Sequence, residues 1–233
     1  MSVALITGAS RGLGQALARE LSARGWSLVL DARGAKALDE TVSSLRGGPV
    51  VAVVGDVSSP DHRAELAAAV AHAGRLDLLV NNASHLGPSP QPELAEYPLD
   101  ELARVYAVDV FAPVAMAQLA LPWLVAGGGV LVNITSDASV EAYQGWGGYG
   151  SAKAALDHVT AVLAAEQPSI SCYAFDPGDM RTRMHQQAFP GEDISDRPEP
   201  ETVVPALLQL VDERPASGRY RACELRGSAA AAR

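Results

Sequence analysis

The 233-residue sequence has few cysteines, few aromatic residues and fewer basic than acidic side chains. Its two cysteines, Cys172 and Cys223, exclude a disulfide framework and a paired-cysteine zinc site. Both fall in strand-like segments, where we expect buried thiols. The net charge of −9 argues against nucleic acid or an anionic membrane surface as the main partner. We predict no metal site.

Signals for export and membrane insertion are also lacking. The chain enters an apolar segment directly, without the basic region and apolar run of a signal peptide. We expect no apolar stretch long enough to cross a bilayer. These observations predict a cytoplasmic location.

Short apolar segments alternate with helical patterns along the chain, which predicts an α/β fold with a parallel sheet and helices on both faces. We expect one domain over residues 1–227, about seven strands and a disordered tail at 228–233. The predicted strands are 3–6, 27–30, 50–54, 76–80, 130–135, 170–175 and 219–225. We expect the first three of these strands to be buried, because their apolar runs are short and continuous.

Two irregular regions interrupt this alternation. A long helical segment at 99–125 contains Pro113 and Pro122, which predicts a kink or a split. Residues 179–200, rich in proline, glycine and charge, predict a mobile flap.

A glycine pattern follows the first strand and opens the first helix. Gly8, Gly12 and Gly14 let the backbone turn tightly and approach a pyrophosphate, while the helix N-terminus supplies N–H donors. A tight turn without ligand is the alternative interpretation.

A second pattern combines a strand end with a helix. Tyr149 and Lys153 stand four residues apart, so they share a helix face, and Ser136 ends the preceding strand. An ammonium beside a phenol favours the phenolate, so we expect Lys153 to lower the pKa of Tyr149 toward the neutral range. An ordinary exposed helix pair is the alternative.

Together the two patterns resemble the short-chain dehydrogenase/reductase family, from Val3 to about Leu225. The resemblance implies a Rossmann-type doubly wound sheet and a catalytic set of Ser136, Tyr149 and Lys153. Ser136 would polarise a carbonyl, Tyr149 would donate the proton, and Lys153 would bind the nicotinamide ribose. The loop before Tyr149 is similar to the sepiapterin-reductase and benzil-reductase branch.

The fourth family position departs from the pattern, because Asp109 stands where the family usually has asparagine. We expect Asp109 either to pair with Lys153 and weaken turnover or to be harmless. Ser84 replaces the usual glycine of the family's Asn-Asn-Ala-Gly turn, which we expect to tilt that loop slightly. The resemblance places Tyr143, Trp146 and Met184 in the substrate pocket.

The resemblance also implies the residues that bind the cofactor. NADPH is favoured over NAD, because Arg33 and Arg11 can bind a 2′-phosphate and Ala32 stands where NAD-selecting members have an acid. Asp31 would point away from the ribose. The implied set is Gly8, Ser10, Arg11, Gly12, Leu13, Gly14, Arg33, Asp56, Val57, Asn82, Ala83, Tyr149, Lys153, Pro177, Gly178, Met180 and Thr182.

The sequence therefore predicts an NADPH-dependent reductase of ketones or vicinal dicarbonyls. Two alternatives remain open: an NAD-dependent alcohol dehydrogenase, and a cofactor-binding homologue weakened by Asp109. The family resemblance further implies a homodimer or homotetramer that assembles through the long helices at 99–125 and 147–166.

Overall fold

The computed structural model describes residues 1–225 of the chain. The strands within this range are β1 (Val3–Ile6), β2 (Ser27–Ala32), β3 (Val50–Val54), β4 (Leu78–Asn81), β5 (Val130–Ile134), β6 (Ser171–Asp176) and β7 (Gly218–Arg221). They form one parallel sheet in the order β3-β2-β1-β4-β5-β6-β7. The predicted doubly wound sheet is confirmed.

Helices cover both faces of this sheet. They are α1 (Gly12–Ala23), α2 (Ala35–Ser44), α3 (Pro60–Ala73), α4 (Leu99–Tyr106), α5 (Ala112–Gly127), α6 (Gly147–Glu166), α7 (Arg183–Ala188) and α8 (Val204–Glu213). Successive strand residues face opposite cores. Leu28 and Leu30 join the core with α1 and α8, whereas Val29 joins the core with α3 and α5. Burial on both faces explains why the strand sequences are continuously apolar.

The prediction that the third strand is buried is wrong. This strand lies at the edge of the sheet, and within residues 1–225 it pairs with β2 alone. Val51 and Val54 are exposed there. A continuous apolar run therefore did not distinguish an edge strand from a central one.

The predicted last strand, 219–225, is too long. β7 ends at Arg221, and residues 222–225 are helical. Cys223 is exposed rather than buried, whereas Cys172 is buried on β6 and burial raises its pKa to about 11. The predicted tail at 228–233 lies outside the described residues.

The long helical region is interrupted once, by a π-helical turn at Ala107–Phe111 between α4 and α5. Pro113 is the second residue of α5, just after this turn, whereas Pro122 lies within α5 without splitting it. The regular α-helix is thus interrupted next to Pro113 and uninterrupted at Pro122.

The expectation that no stretch is long enough to cross a bilayer is wrong on length and composition. The continuous region Leu99–Gly127 has 29 residues and is apolar enough to pass that test. Part of its apolar surface packs against the sheet through Ala112, Met116 and Leu124. Core packing accounts for these side chains, whereas Phe111 and Leu119 are exposed.

Candidate active site

The carboxyl ends of the parallel strands surround a cavity of about 660 Å³. Ligands of open α/β sheets bind at this edge. Of the residues predicted from sequence, the cavity is lined by Gly8, Ser10, Arg11, Gly12, Leu13, Arg33, Asp56, Val57, Asn82, Ala83, Ser136, Tyr143, Trp146, Tyr149, Lys153, Pro177, Gly178, Met180, Thr182 and Met184. Gly14 and Asp109 do not line it and lie behind its wall.

The glycine loop fits close approach by a ligand. Gly8 and Gly12 have φ values of 66° and 55°, in the region that favours glycine. A Cβ at Gly8 would lie 2.8 Å from the Ala83 Cα, and one at Gly14 would lie 2.5 Å from Asn82 Nδ2. Gly14 is therefore needed for packing of the loop against the β4 turn. The backbone cradle between Gly8 and Gly12 fits the pyrophosphate of a dinucleotide.

Thr7 and Asn82 fix the glycine loop to the turn after β4. The Thr7 hydroxyl accepts hydrogen bonds from the backbone N–H groups of Asn82 and Ala83, each at 3.0 Å. Asn82 Nδ2 donates to the carbonyls of Thr7 at 2.9 Å and Gly8 at 3.1 Å. Sequence reasoning assigned Asn82 to this region and missed Thr7, although Thr7 directly follows the first strand.

At one end of the cavity, Arg33 extends into solvent with its Nη1 4.0 Å from Asp56 Oδ2. Asp31 lies beside it but is almost fully buried, and its Oδ1 is 2.7 Å from His62 Nε2. Burial raises the pKa of Asp31, although the hydrogen bond with His62 acts in the opposite direction. We name this region the adenosine end.

At the other end, Asp109 and Lys153 form a buried ion pair. Asp109 lies in the π-helical turn, and its Oδ1 is 3.0 Å from Lys153 Nζ. Lys153 also donates to the Ile134 carbonyl at 3.0 Å, and its Nζ lies 5.3 Å from the centroid of the Tyr149 ring. The expected Asp109–Lys153 pairing is confirmed. We name this region the nicotinamide end.

Lys153 lowers the pKa of Tyr149 as expected, but the expected net shift of that pKa toward neutral pH is wrong. Burial raises the pKa of Tyr149 above the ordinary tyrosine value. Lys153 lowers it by less, and the charge of Asp109 raises it further. Burial alone would lower the pKa of Lys153, but the charges of Asp109 and Tyr149 raise it. Tyr149 is thus held in its protonated form and Lys153 in its charged form.

Ser84 connects these groups, which sequence reasoning did not foresee. Its hydroxyl donates a short hydrogen bond to Asp109 Oδ1 and is also a hydrogen-bond partner of the Tyr149 phenol. The backbone N–H of His85 donates to the other Asp109 oxygen at 3.0 Å. Ser84 and Asp109, the two departures from the family pattern, are therefore in direct contact.

Ser136 begins the loop after β5 and faces the cavity. Its Oγ donates to Asp137 Oδ1 at 2.8 Å and accepts from the Ala138 N–H at 3.2 Å. Arg219 on β7 supports this strand end by donating to the Ser136 carbonyl at 3.0 Å and pairing with Asp176 at 2.9 Å. Sequence reasoning missed Arg219, because only the tertiary fold brings β7 beside Ser136.

Aromatic side chains form the outer wall of the nicotinamide end. Trp146 packs edge-on against Tyr149 with ring centroids 5.9 Å apart, and Phe189 packs on Trp146 at 5.7 Å. Tyr143 is partly exposed, and its hydroxyl donates to Asp137 at 3.0 Å. Met184 packs against the same cluster from α7. The structure therefore brings the three predicted substrate residues together above Tyr149.

The segment that was predicted to be a flap contributes one wall of this cavity. Residues 179–200 contain the short helix α7, and the Thr182 hydroxyl accepts from the His185 N–H at its start. Its mobility stays a prediction.

The geometry provides a proton donor, a polarising hydroxyl and a fixed cation beside a cavity suited to a dinucleotide. Residues 2–193 match the family model for short chain dehydrogenases. The chain belongs to the short-chain dehydrogenase/reductase family. Its similar proteins are named oxidoreductases and dehydrogenases, and this chain is an NAD(P)-dependent short-chain oxidoreductase.

Three relatives indicate the range of this family. The 2-(R)-hydroxypropyl-CoM dehydrogenase of Xanthobacter autotrophicus is 34% identical over 84% of this chain and 81% of its own length. Sepiapterin reductase of Rattus norvegicus is 32% identical over 80% and 77%. The structure of a short chain dehydrogenase from Shigella flexneri complexed with NADP has a TM-score of 0.86 at 26% identity, over 95% of this chain and 96% of that one.

Proposed function

We propose that this protein is an NADPH-dependent reductase of ketones or vicinal dicarbonyls. The observation that carries the proposal is geometric: Tyr149, Ser136 and Lys153 line one cavity, and Lys153 Nζ lies 5.3 Å from the centroid of the Tyr149 ring. A phenol held protonated is suited to donate a proton to a carbonyl oxygen, the role it has in reduction. Oxidation of an alcohol would require the phenolate instead.

Each residue of the site has one task in this reaction. When bound, the nicotinamide supplies the hydride. The Ser136 hydroxyl orients the carbonyl oxygen, and Tyr149 transfers its proton to that oxygen. Lys153 stays charged and stabilises the negative charge that develops there. Trp146 and Phe189 cover the site and limit access of water. Their aromatic faces favour a carbonyl next to an apolar or aromatic group.

The choice of NADPH is supported by the adenosine end. Arg33 and Arg11 both line the cavity, and a guanidinium binds phosphate through paired donors. The acidic side chain at the end of β2, Asp31, is already bonded to His62. The Shigella flexneri relative complexed with NADP is consistent with this choice.

A panel of ketones and dicarbonyls with NADPH or NADH, followed by the loss of nicotinamide absorbance, tests the proposal. We expect consumption of NADPH in preference to NADH, and Tyr149→Phe to reduce kcat by about 10²–10⁴-fold. The variant should still bind NADPH, as measured by fluorescence. Tighter binding of NADH by the unmodified protein would support the NAD-dependent alcohol dehydrogenase instead.

One observation favours a second candidate, a cofactor-binding homologue with weakened catalysis. The buried Asp109 carboxylate lies 3.0 Å from the Lys153 ammonium and offsets its charge. Under this alternative the protein binds NADPH but oxidises it with no member of the carbonyl panel. Binding and turnover measured on the same preparation separate the two candidates.

We further propose that the protein forms a homodimer or homotetramer through the long helices of the chain. Phe111, Leu119 and Val162 expose large apolar side chains on or beside α5 and α6. An assembly would remove this surface from water. Light scattering of the unmodified protein and of Leu119→Glu tests this, with a smaller particle expected for the variant.

A further inference from the structure

The adenosine end contains a buried pair that the reaction does not use. Asp31 is the next-to-last residue of β2, and its side chain lies on the face of the sheet that α3 covers. His62 is in the first turn of α3, four residues before Leu66, which is buried in the same core. The carboxylate and the imidazole meet at 2.7 Å.

The pair is closely enclosed by the surrounding backbone. Gly55 follows β3, and a Cβ added there would lie 2.2 Å from His62 Nδ1. The side chains of Asp31 and His62 are only 2% and 6% exposed. The carbonyl of Asp31 accepts from the Ala9 N–H at 2.8 Å, which ties this strand end to the glycine loop. The imidazole therefore has little room to leave the carboxylate.

An acid at this edge of the sheet matters because it stands next to the phosphate-binding groups. Asp31, Ala32 and Arg33 all line the cavity. An unpaired carboxylate here would repel a 2′-phosphate and could accept hydrogen bonds from ribose hydroxyls. The hydrogen bond to His62 occupies Oδ1 of Asp31 and holds the carboxyl group within the protein, which weakens both effects.

We propose that His62 determines cofactor specificity by holding Asp31 away from the ribose, which leaves Arg33 and Arg11 to bind the 2′-phosphate. His62 touches neither ribose nor phosphate in this scheme and acts only through Asp31. The inference rests on the cofactor preference proposed above and goes beyond it by naming the residue that maintains the preference.

The test compares the dissociation constants of NADPH and NADH, measured by fluorescence without any substrate. In His62→Leu the carboxylate loses its partner, and we expect the ratio of affinities to shift toward NADH by about tenfold or more, which corresponds to about 1.4 kcal/mol. His62→Gln keeps a donor and should shift the ratio less. His72→Leu, an exposed histidine near the end of the same helix, is the matched control and should leave the ratio unchanged.

The double variant His62→Leu/Asp31→Asn distinguishes this role from general damage to the fold. Removing the acid should return the ratio to within about twofold of the original, a change too small to alter selection between cofactors. An unchanged ratio in both His62→Leu and His62→Gln overturns the proposal, as does a shift that persists in the double variant. If His62→Leu does not fold, His62→Gln with and without Asp31→Asn gives the same comparison.

These outcomes are separate from those of the proposed function. Failure to reduce any carbonyl would reject the reductase and leave the binding ratios interpretable. Carbonyl reduction with ratios that do not respond to His62 would reject only the role of His62.

Discussion

The two ends of the cavity each hold a buried carboxylate, but the partners differ in chemistry. At the nicotinamide end Asp109 faces the ammonium of Lys153, and at the adenosine end Asp31 faces the imidazole of His62. An ammonium donates three hydrogen bonds and is charged whenever it does so, whereas a neutral imidazole can still donate one. The first pair is therefore ionic, whereas Asp31 in the second pair can lose its negative charge by taking up a proton.

The direction of the pKa shifts supports this difference. Asp109 helps to raise the pKa of Lys153, which holds that lysine in its charged form. Burial raises the pKa of Asp31, which moves that acid toward its neutral form. The nicotinamide end thus keeps the positive charge of Lys153, while burial at the adenosine end reduces the negative charge of Asp31.

The largest expected effect is on stability at the nicotinamide end. Asp109→Ala leaves Lys153 as an uncompensated buried charge, which costs about 3–5 kcal/mol of unfolding free energy. His62→Ala should cost less, about 1–3 kcal/mol, because Asp31 can take up a proton. Urea denaturation of both variants measures the difference.

The exposed pair of Lys36 and Glu40 provides the control for that comparison. Glu40→Ala should change the unfolding free energy by less than about 1 kcal/mol. Equal losses for Asp109→Ala and His62→Ala would contradict the distinction between the two ends.

A smaller effect is expected on turnover. Asp109→Asn removes the charge that raises the pKa of Tyr149, so Tyr149 becomes the stronger acid and kcat for reduction should rise by about 3–10-fold. Ser84 contacts Asp109 directly, so we expect Ser84→Gly and Asp109→Asn to be non-additive by about 0.5–3 kcal/mol. Steady-state kinetics of both single variants and the double variant measure this.

Glu40→Gln removes an exposed carboxylate on α2 that does not line the cavity, and it should leave kcat unchanged. An unchanged kcat in Asp109→Asn would show that Asp109 does not weaken catalysis, and strictly additive effects would show that Ser84 acts independently of it.

The smallest expected effect is the pH dependence of stability. Lys153 has a raised pKa, so its contribution is complete below the unfolded value of about 10.4 and is lost as pH rises through the folded value. Tyr149 also has a raised pKa, so stability falls as pH rises above its unfolded value of about 10. Both act in the same direction, and Tyr149→Phe should flatten the alkaline decline.

Asp31 shows the corresponding behaviour in acid. Its pKa is raised in the folded protein, so stability falls as pH rises from its unfolded value of about 3.9 toward the folded value. Asp31→Asn should remove this decline. Each tenfold difference in proton affinity corresponds to about 1.4 kcal/mol. Urea unfolding over a pH series measures both the acid and the alkaline change in stability. An alkaline decline identical in Tyr149→Phe would contradict the effect assigned to Tyr149.

Local patterns predicted most of the sheet, because apolar runs, glycine turns and helical periodicity are each formed by residues close together in the sequence. They placed Tyr149 and Lys153 on one face of α6, and the structure agrees. They did not reveal that β3 is an edge strand or that Cys223 is exposed, because both depend on which elements pack nearby. His62 had a local signal, since it precedes the buried Leu66 and Val70 at intervals of four residues.

The sequence alone determined the family, the parallel sheet and the residue types that surround the cavity, because those depend on short-range spacing. The tertiary structure decided how the charges are partnered. Asp109 is 44 residues from Lys153, and Asp31 is 31 residues from His62. Only the packed fold shows that Asp109 and burial raise the pKa of Tyr149 by more than Lys153 lowers it, because burial and long-range contacts set the electrostatics of a site.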